Sequence, residues 1–396
     1  MVLKPPSNLF GVVRAGFNAV CAGPPSELDL DELLGREPPH FDLGGARRSL
    51  AGRAVMVTGA GGSIGSELCR QLLDCAPARL VCVDRAETPL FLLQQAMLHA
   101  PVETLFCVAD IADSARMSGV MHKHAVDTVF HAAAYKHVPL MEGNPQEAVN
   151  NNVFALLSLL EAAEGAGCED FLLISSDKAV CPSSIMGCTK RIGELIVAAR
   201  PAAPMRGMAV RFGNVLGSQG SVLPIFLKEI ASRQKITVTH AEMERFFLTP
   251  QAAVALLLQA FSIAEQGDVL VLDTGQPVRI LDLARRLIQL SAIPPQQVEI
   301  VFTGLRPGEK LSEQLFYDFE QSQKTSVDKI LRARGPLPGW TELEAHLHAL
   351  RRENVTGQPE RICAKLKEIV PQYLWEPSLQ SRAQEVASAE ATVDRK

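Results

Sequence analysis

The run Thr58-Gly59-Ala60-Gly61-Gly62-Ser63-Ile64-Gly65 follows a short β-branched stretch at 54–58 and opens a helical pattern at 64–73. Glycines at 59, 62 and 65 permit a tight turn, close approach of backbone to a bound group, and close packing of helix on strand. The first amides of that helix suit an anion such as a pyrophosphate. The next apolar run, 80–84, ends in Asp84, nineteen residues beyond Gly65. An acid at that place would hydrogen-bond ribose hydroxyls, so turn and acid together predict a dinucleotide site. Asp84 repels a 2'-phosphate, which favours NAD over NADP, although the adjacent Arg85 could pair with one.

Short β-rich runs alternate with longer helical ones on either side of this unit. The strand-like runs are 54–58, 80–84, 105–110, 128–132, 171–175 and 208–212; helical stretches at 64–73, 90–100, 114–123, 148–165 and 191–199 separate them. This alternation predicts an α/β chain with a doubly wound parallel sheet and helices on both faces. Beyond about 214 the pattern loosens into short strands at 236–239, 269–273 and 298–302 and helices at 251–266 and 280–290. A smaller mixed α/β substrate-binding domain over the carboxyl ends of the strands is expected there. The division is an arm or linker over 1–50, the dinucleotide domain over 51–215, a substrate region over 216–318 partly interleaved with it, and a C-terminal helical segment with a polar tail over 319–396.

A net charge of −5 argues against a nucleic-acid footprint. No apolar run is long enough to span a membrane; the stretch 9–23 is short and broken by Arg14. It lacks the features of a signal peptide. The nine cysteines are scattered, with no C-x-x-C pair. Such thiols fit a reducing cytoplasm better than a disulfide framework, and no metal site is expected.

Two further segments bear on chemistry. The fifth strand runs into Ser175-Ser176-Asp177-Lys178, an acid and a base at the carboxyl edge of the sheet, where a substrate would lie. Twelve residues after Lys178 stands Lys190, with Met186 one helical turn before it.

The G-x-x-G-x-x-G spacing resembles the short-chain dehydrogenase/reductase superfamily, which implies a Rossmann-type sheet. By that resemblance Asp110 and Ile111, at the end of the third strand, contact adenine, and Ala132, Ala133 and Ala134 lie beside the cofactor with Ser63 and Ile64. The superfamily's catalytic pair is Tyr-x-x-x-Lys. Here Met186 takes the tyrosine's place, and the tyrosines at 135, 317 and 373 recover the motif in no register. A thioether is no base, so Lys190 keeps only the ribose-holding role and another group handles the substrate's protons.

The string Ser176-Asp177-Lys178-Ala179-Val180, with Met186 and Lys190, is similar to the UDP-N-acetylglucosamine 4,6-dehydratases of bacterial polysaccharide biosynthesis. It most resembles their long, membrane-anchored, Met-for-Tyr members. Further agreement comes from His131-Ala132-Ala133-Ala134-Tyr135-Lys136-His137-Val138-Pro139-Leu140-Met141-Glu142, from Arg211-Phe212-Gly213-Asn214-Val215-Leu216-Gly217-Ser218, and from Thr303-Gly304-Leu305-Arg306-Pro307-Gly308-Glu309-Lys310. The match covers roughly 51–315. Ser176 replaces a usual Thr and Cys181 a common Asn. No membrane helix precedes the match, so a truncated or soluble counterpart is expected, cytoplasmic or peripheral to the inner membrane.

The resemblance implies a C5-retaining dehydratase of a UDP-N-acetylhexosamine. Oxidation at C4 would acidify C5, Lys178 would take the C5 proton, Asp177 would protonate the departing C6 hydroxyl, and hydride would return to C6. Mutual burial is expected to push Asp177 and Lys178 toward neutrality. The acceptor of the C4 hydroxyl proton stays open among Asp177, Ser176 and water. Asn214, Ser218 and Val222 are expected at the diphosphate, Arg306 as its counter-charge, Glu309 at the uridine ribose, and Lys136 and His137 in the pocket wall. Homo-oligomers are common in this superfamily. A C5-inverting dehydratase or a 4-epimerase is an alternative, though both usually keep the tyrosine. A non-catalytic NAD(P)-binding sensor or scaffold is another.

Overall fold

The computed structural model describes residues 30–36, 41–201, 205–232, 235–291 and 293–375. The apolar stretch 9–23 and the polar tail lie outside the described residues. Nine strands form the main sheet: β1 (Ala54–Thr58), β2 (Arg79–Asp84), β3 (Glu103–Val108), β4 (Thr128–His131), β5 (Asp170–Ile174), β6 (Arg206–Arg211), β7 (Val269–Leu272), β8 (Gln321–Lys324) and β9 (Ile330–Arg334). Their order is β8-β9-β7-β6-β5-β4-β1-β2-β3. Strands from β3 through β7 pair in parallel, and β9 and β8 close that edge antiparallel. The order reverses at β1 and β4, which are neighbours, and the crevice beyond their carboxyl ends is where such sheets bind ligands.

Among the described residues, eleven helices of seven residues or more accompany the sheet: α1 (Gly44–Leu50), α2 (Ser63–Leu73), α3 (Glu87–Ala96), α4 (Ser114–His124), α5 (Ala155–Gly165), α6 (Ile185–Ala199), α7 (Val222–Ala231), α8 (Pro250–Ile263), α9 (Ile280–Leu290), α10 (Trp340–Thr356) and α11 (Pro359–Ile369). Alternation within each buried strand divides the core between two faces. Met56, Val129, Phe171 and Leu173 pack beneath α4, α5, α6, α10 and α11. Val55, Val57, Phe130 and Leu172 pack beneath α1, α2, α3 and α8. A smaller third core gathers under α7 and α9 and takes in Leu30 and Leu33. Caps fix the two helices that matter most to the layout. Ser184 accepts the amide of Gly187 at 3.0 Å to start α6, and Thr249 accepts that of Ala252 ahead of Pro250 to start α8.

Four sequence expectations need correcting. Residues 41–50, read as part of an arm, belong to the core: Ala46 and Leu50 of α1 are fully buried. The C-terminal segment is not only helical, because β8 and β9 extend the main sheet before α10 and α11. β3 ends at Val108, so Asp110 and Ile111 lie in the loop after it. The expected helix over 148–165 is interrupted by a π-helical turn at Asn150–Phe154.

Leu50 sits in a close-packed site, so Leu50→Ala should lower stability by about 2–5 kcal/mol in urea unfolding. A mere linker residue would leave the transition unchanged.

Candidate active site

The Gly-rich turn needs glycine at two positions, one for its backbone conformation and one for space. Gly59 has φ +68°, and a Cβ there would lie 2.7 Å from the Ala133 amide nitrogen. A Cβ on Gly65 would lie 2.0 Å from the Gly59 carbonyl oxygen. β1, the turn and the end of β4 therefore close on one another with no side chain between. Asp84, at the end of β2, accepts the amides of Gly61 and Ala86 at 2.9 Å each. The carboxylate braces the turn as well as facing the crevice.

A cavity of ≈ 170 Å³ lies against this turn, lined by Gly59, Gly62, Asp84, Arg85, Asp110, Ile111, Ala132, Ala133 and Ala134, with Val83, Ala109, Tyr135 and Asn151. Ser63, Ile64 and Gly65 open α2 beside it. Sequence reasoning missed Tyr135 and Asn151 as wall residues. Arg85 donates to the Tyr135 hydroxyl at 2.5 Å and lies 4.6 Å over its ring. The pairing is with a residue fifty positions away and has no local signal. The glycine cradle, outward helix amides and ribose-side acid fit a dinucleotide.

A second cavity of ≈ 360 Å³ lies between the sheet and the smaller core. Lys136, His137, Lys178, Asn214, Val222, Arg306 and Glu309 line it, as do Arg245, Lys310 and Glu313. Ser218 is not in the wall; its hydroxyl accepts from Lys136 at 3.4 Å. His137 packs against Gly220, where a Cβ would meet the ring at 2.5 Å. Arg306 and Glu309 pair with each other at 2.6 Å on the rim, so a ligand's anion would compete with Glu309 for the guanidinium. The amide of Gln219 donates to Ser63 at 3.0 Å, which joins the loop before α7 to the glycine turn and sets the two cavities side by side.

The segment after β5 supplies Ser176, Asp177 and Lys178. Asp177 is fully buried and lines neither cavity. Its Oδ1 accepts from Ser176 at 2.8 Å and from the Lys178 ammonium at 3.0 Å, while the buried Oδ2 has no hydrogen-bond partner. Lys178 reaches the second cavity and also donates to Asn214 at 3.0 Å. Its pKa moves opposite to expectation. Burial opposes the charge, but Asp177 and Glu313, at 3.0 and 3.8 Å, outweigh it and hold the ammonium above the ordinary lysine range.

Lys190 behaves differently. It is buried, donates to the Ile174 carbonyl at 2.5 Å, and burial pushes it down to about 8 against the weaker pull of Glu194. Met186, one turn earlier, is buried in the apolar core and lines neither cavity. Burial, reinforced by Lys190, drives His131 down to about 3, so its ring is neutral; its Nδ1 meets the Thr58 hydroxyl at 2.8 Å.

A buried ionic cluster holds this edge in place. Arg211, at the end of β6, makes paired bonds to Glu194 of α6 at 2.7 and 2.8 Å and to Glu320 at 2.7 and 2.8 Å. Arg191 bonds Glu194 at 3.0 Å, and Ser175 donates to the same carboxylate at 2.6 Å. Burial would raise the Glu194 pKa, but Arg211 and Arg191 prevail and hold it down at about 2.

Among the described residues no helix is long and apolar enough to cross a membrane, and no group of three His, Cys, Asp or Glu is placed to hold a metal. The eight described cysteines are free thiols.

Two predictions follow from this geometry. Glu194→Gln should cost about 3 kcal/mol near neutrality because it strips charge from a buried pair. A carboxylate with a depressed folded pKa stabilises above its unfolded value of 4.5 and loses that contribution as pH falls toward 2. The wild-type advantage over E194Q in urea unfolding should therefore shrink across that window. Separately, Gly65→Ala should abolish NAD(H) binding in calorimetry, since the methyl group has no room against Gly59.

The family model described as polysaccharide biosynthesis protein matches residues 55–335. The capsular polysaccharide biosynthesis protein CapD of Staphylococcus aureus is 42% identical over 313 residues, covering 78% of this chain and 52% of its own. The chain thus spans about half the length of that relative. A UDP-glucose 4-epimerase of Rickettsia felis is 32% identical over 284 residues, 68% of this chain and 80% of its own. Among solved structures, Pen from Bacillus thuringiensis aligns with a TM-score of 0.67 at 31% identity, covering 73% of this chain and 88% of that one. With the family's pattern running from the first strand to the last, this chain belongs to the polysaccharide biosynthesis protein family.

Proposed function

We propose that this chain is a UDP-N-acetylglucosamine 4,6-dehydratase that retains configuration at C5 and makes a UDP-2-acetamido-2,6-dideoxy-4-keto-hexose. The observation that carries the reading is the hydrogen-bonded set Ser176–Asp177–Lys178, with the lysine at the wall of the larger cavity. Relatives named for capsular polysaccharide and for a nucleotide-sugar epimerase support the substrate class.

Bound along the smaller cavity, a nicotinamide cofactor would supply reversible hydride acceptance, removing hydride from C4 and returning it at C6. Gly59, Gly62 and the first amides of α2 would hold its pyrophosphate, Asp84 and Arg85 its adenosine ribose, Asp110 and Ile111 its adenine, and Lys190 its nicotinamide ribose. Asp84 at the cavity wall supports NAD over NADP. With its ammonium proton handed to Asp177 across their 3.0 Å bond, Lys178 is a free amine that removes the C5 proton once C4 is a ketone. Asp177, bonded to both Lys178 and Ser176, supplies the proton for the departing C6 hydroxyl through that chain. Asn214 orients the lysine, and Lys136, Arg245, Lys310 and Arg306 give the larger cavity the positive lining a nucleoside diphosphate needs.

The Rickettsia relative raises a second reading, 4-epimerisation. Burial of Met186 in the apolar core, with no tyrosine at its place, weighs against it. A test by NMR in deuterated water separates the two with UDP-N-acetylglucosamine as substrate. Dehydration gives a 4-keto-6-deoxy product carrying solvent deuterium at C5, with ring couplings that report configuration there. Lys178→Ala should lower kcat by about 10²–10⁴-fold. Appearance of UDP-N-acetylgalactosamine would establish the epimerase instead. Tight binding of cofactor and sugar without turnover would overturn both.

A further inference from the structure

We propose that Glu313 is a positioning residue that sets the proton affinity of the Lys178 amine, an inference that rests on the 4,6-dehydratase reading above. Glu313 follows the rim loop and has no place in the motifs that predict the site. Its carboxylate is buried, with 4% of the side chain exposed, and touches the larger cavity beside Lys178. Oε1 lies 3.8 Å from Lys178 Nζ and 3.9 Å from Arg245 Nε; Oε2 lies 3.5 Å from Lys310 Nζ. Oε2 is nevertheless without a hydrogen bond although buried. A buried carboxylate so placed is tolerable only because cations surround it, and its charge is what it offers in return.

The groups that face Lys178 come from four segments. Asp177 and Ser176 precede it in the chain, Asn214 follows β6, Arg245 comes from the smaller lobe, and Glu313 from the rim segment. Lys136 also feels the Lys178 charge. Against burial, the attraction of Asp177 is offset in part by Arg245, and Glu313 adds the second negative charge that keeps the ammonium favoured.

The reaction gives that charge a use. When Lys178 acts on the substrate, the C5–H bond breaks, an N–H bond forms, and the electron pair passes onto the C4 carbonyl oxygen. The amine becomes an ammonium in the same step, and Glu313 stabilises the form it becomes. Glu313 does this without touching the reacting carbon.

The experiment measures the Lys178 pKa directly in the full chain. Competitive acylation with acetic anhydride across a pH series, read by peptide mass spectrometry, gives the pH of half-labelling for wild type, Glu313→Gln and Glu313→Asp. The midpoint should fall by about one unit or more in E313Q, with E313D between it and wild type because its carboxylate is drawn back. In turnover assays the rising limb of the kcat profile should move to lower pH by the same amount. Its plateau should drop about three- to tenfold, with KM for UDP-N-acetylglucosamine within about twofold. An unchanged labelling midpoint in folded E313Q overturns the proposal; if E313Q does not fold, an unchanged midpoint in E313D does so. Absence of wild-type turnover would sink the dehydratase reading instead, while the labelling still decides the role of Glu313.

Discussion

The Glu194–Arg211 pair ties together three parts of the chain that lie far apart in sequence. Arg211 ends β6, Glu194 belongs to α6, and Glu320 precedes the hairpin of β8 and β9; all three are buried, and Arg191 completes a cluster of two cations and two anions. Bringing four charges out of water is costly, and only near-complete pairing makes it tolerable. Here the forks of Arg211 meet both carboxylates bidentately, and Tyr317 lies beneath the two guanidinium groups at 4.8 and 5.7 Å. Because Glu194 also accepts from Ser175, the cluster fixes the strand end that leads into Ser176, Asp177 and Lys178. It equally fixes the helix that carries Lys190.

From that frame the two lysines diverge for reasons of environment alone. Lys190 is buried with its ammonium on the Ile174 carbonyl, and Glu194 pulls on it more weakly than burial, so its amine is drawn toward neutrality. Lys178 has two carboxylates nearby and stays charged in spite of burial. Two identical side chains twelve residues apart thus hold protons with different strength. The difference comes from Asp177 and Glu313, not from any property of the lysines.

Much of the layout was legible because its causes are local. Strands at 54–58, 79–84 and 170–174 declare themselves by short apolar runs, Gly59 by a backbone conformation that favours glycine, and Gly65 by the lack of room for a side chain. Asp84 could be found by its distance from the turn, because a strand–turn–helix–strand unit has a fixed span. Glu313 and Tyr135 could not. Each has a role only through a partner brought close by the topology: Lys178 for Glu313 and Arg85 for Tyr135.

The parallel sheet, the glycine turn and the acid and base at the end of β5 are written into the chain locally. Those follow from periodicity, steric freedom and short-range spacing, which the chain carries in every conformation. Tertiary structure decided which charges face which. It buried Asp177 behind Lys178, seated Met186 in the apolar core, drew residues 41–50 into that core, and placed Glu313 against the lysine. Electrostatic energy depends on distance and on exclusion of water, and both are set only when segments far apart in the chain have packed together.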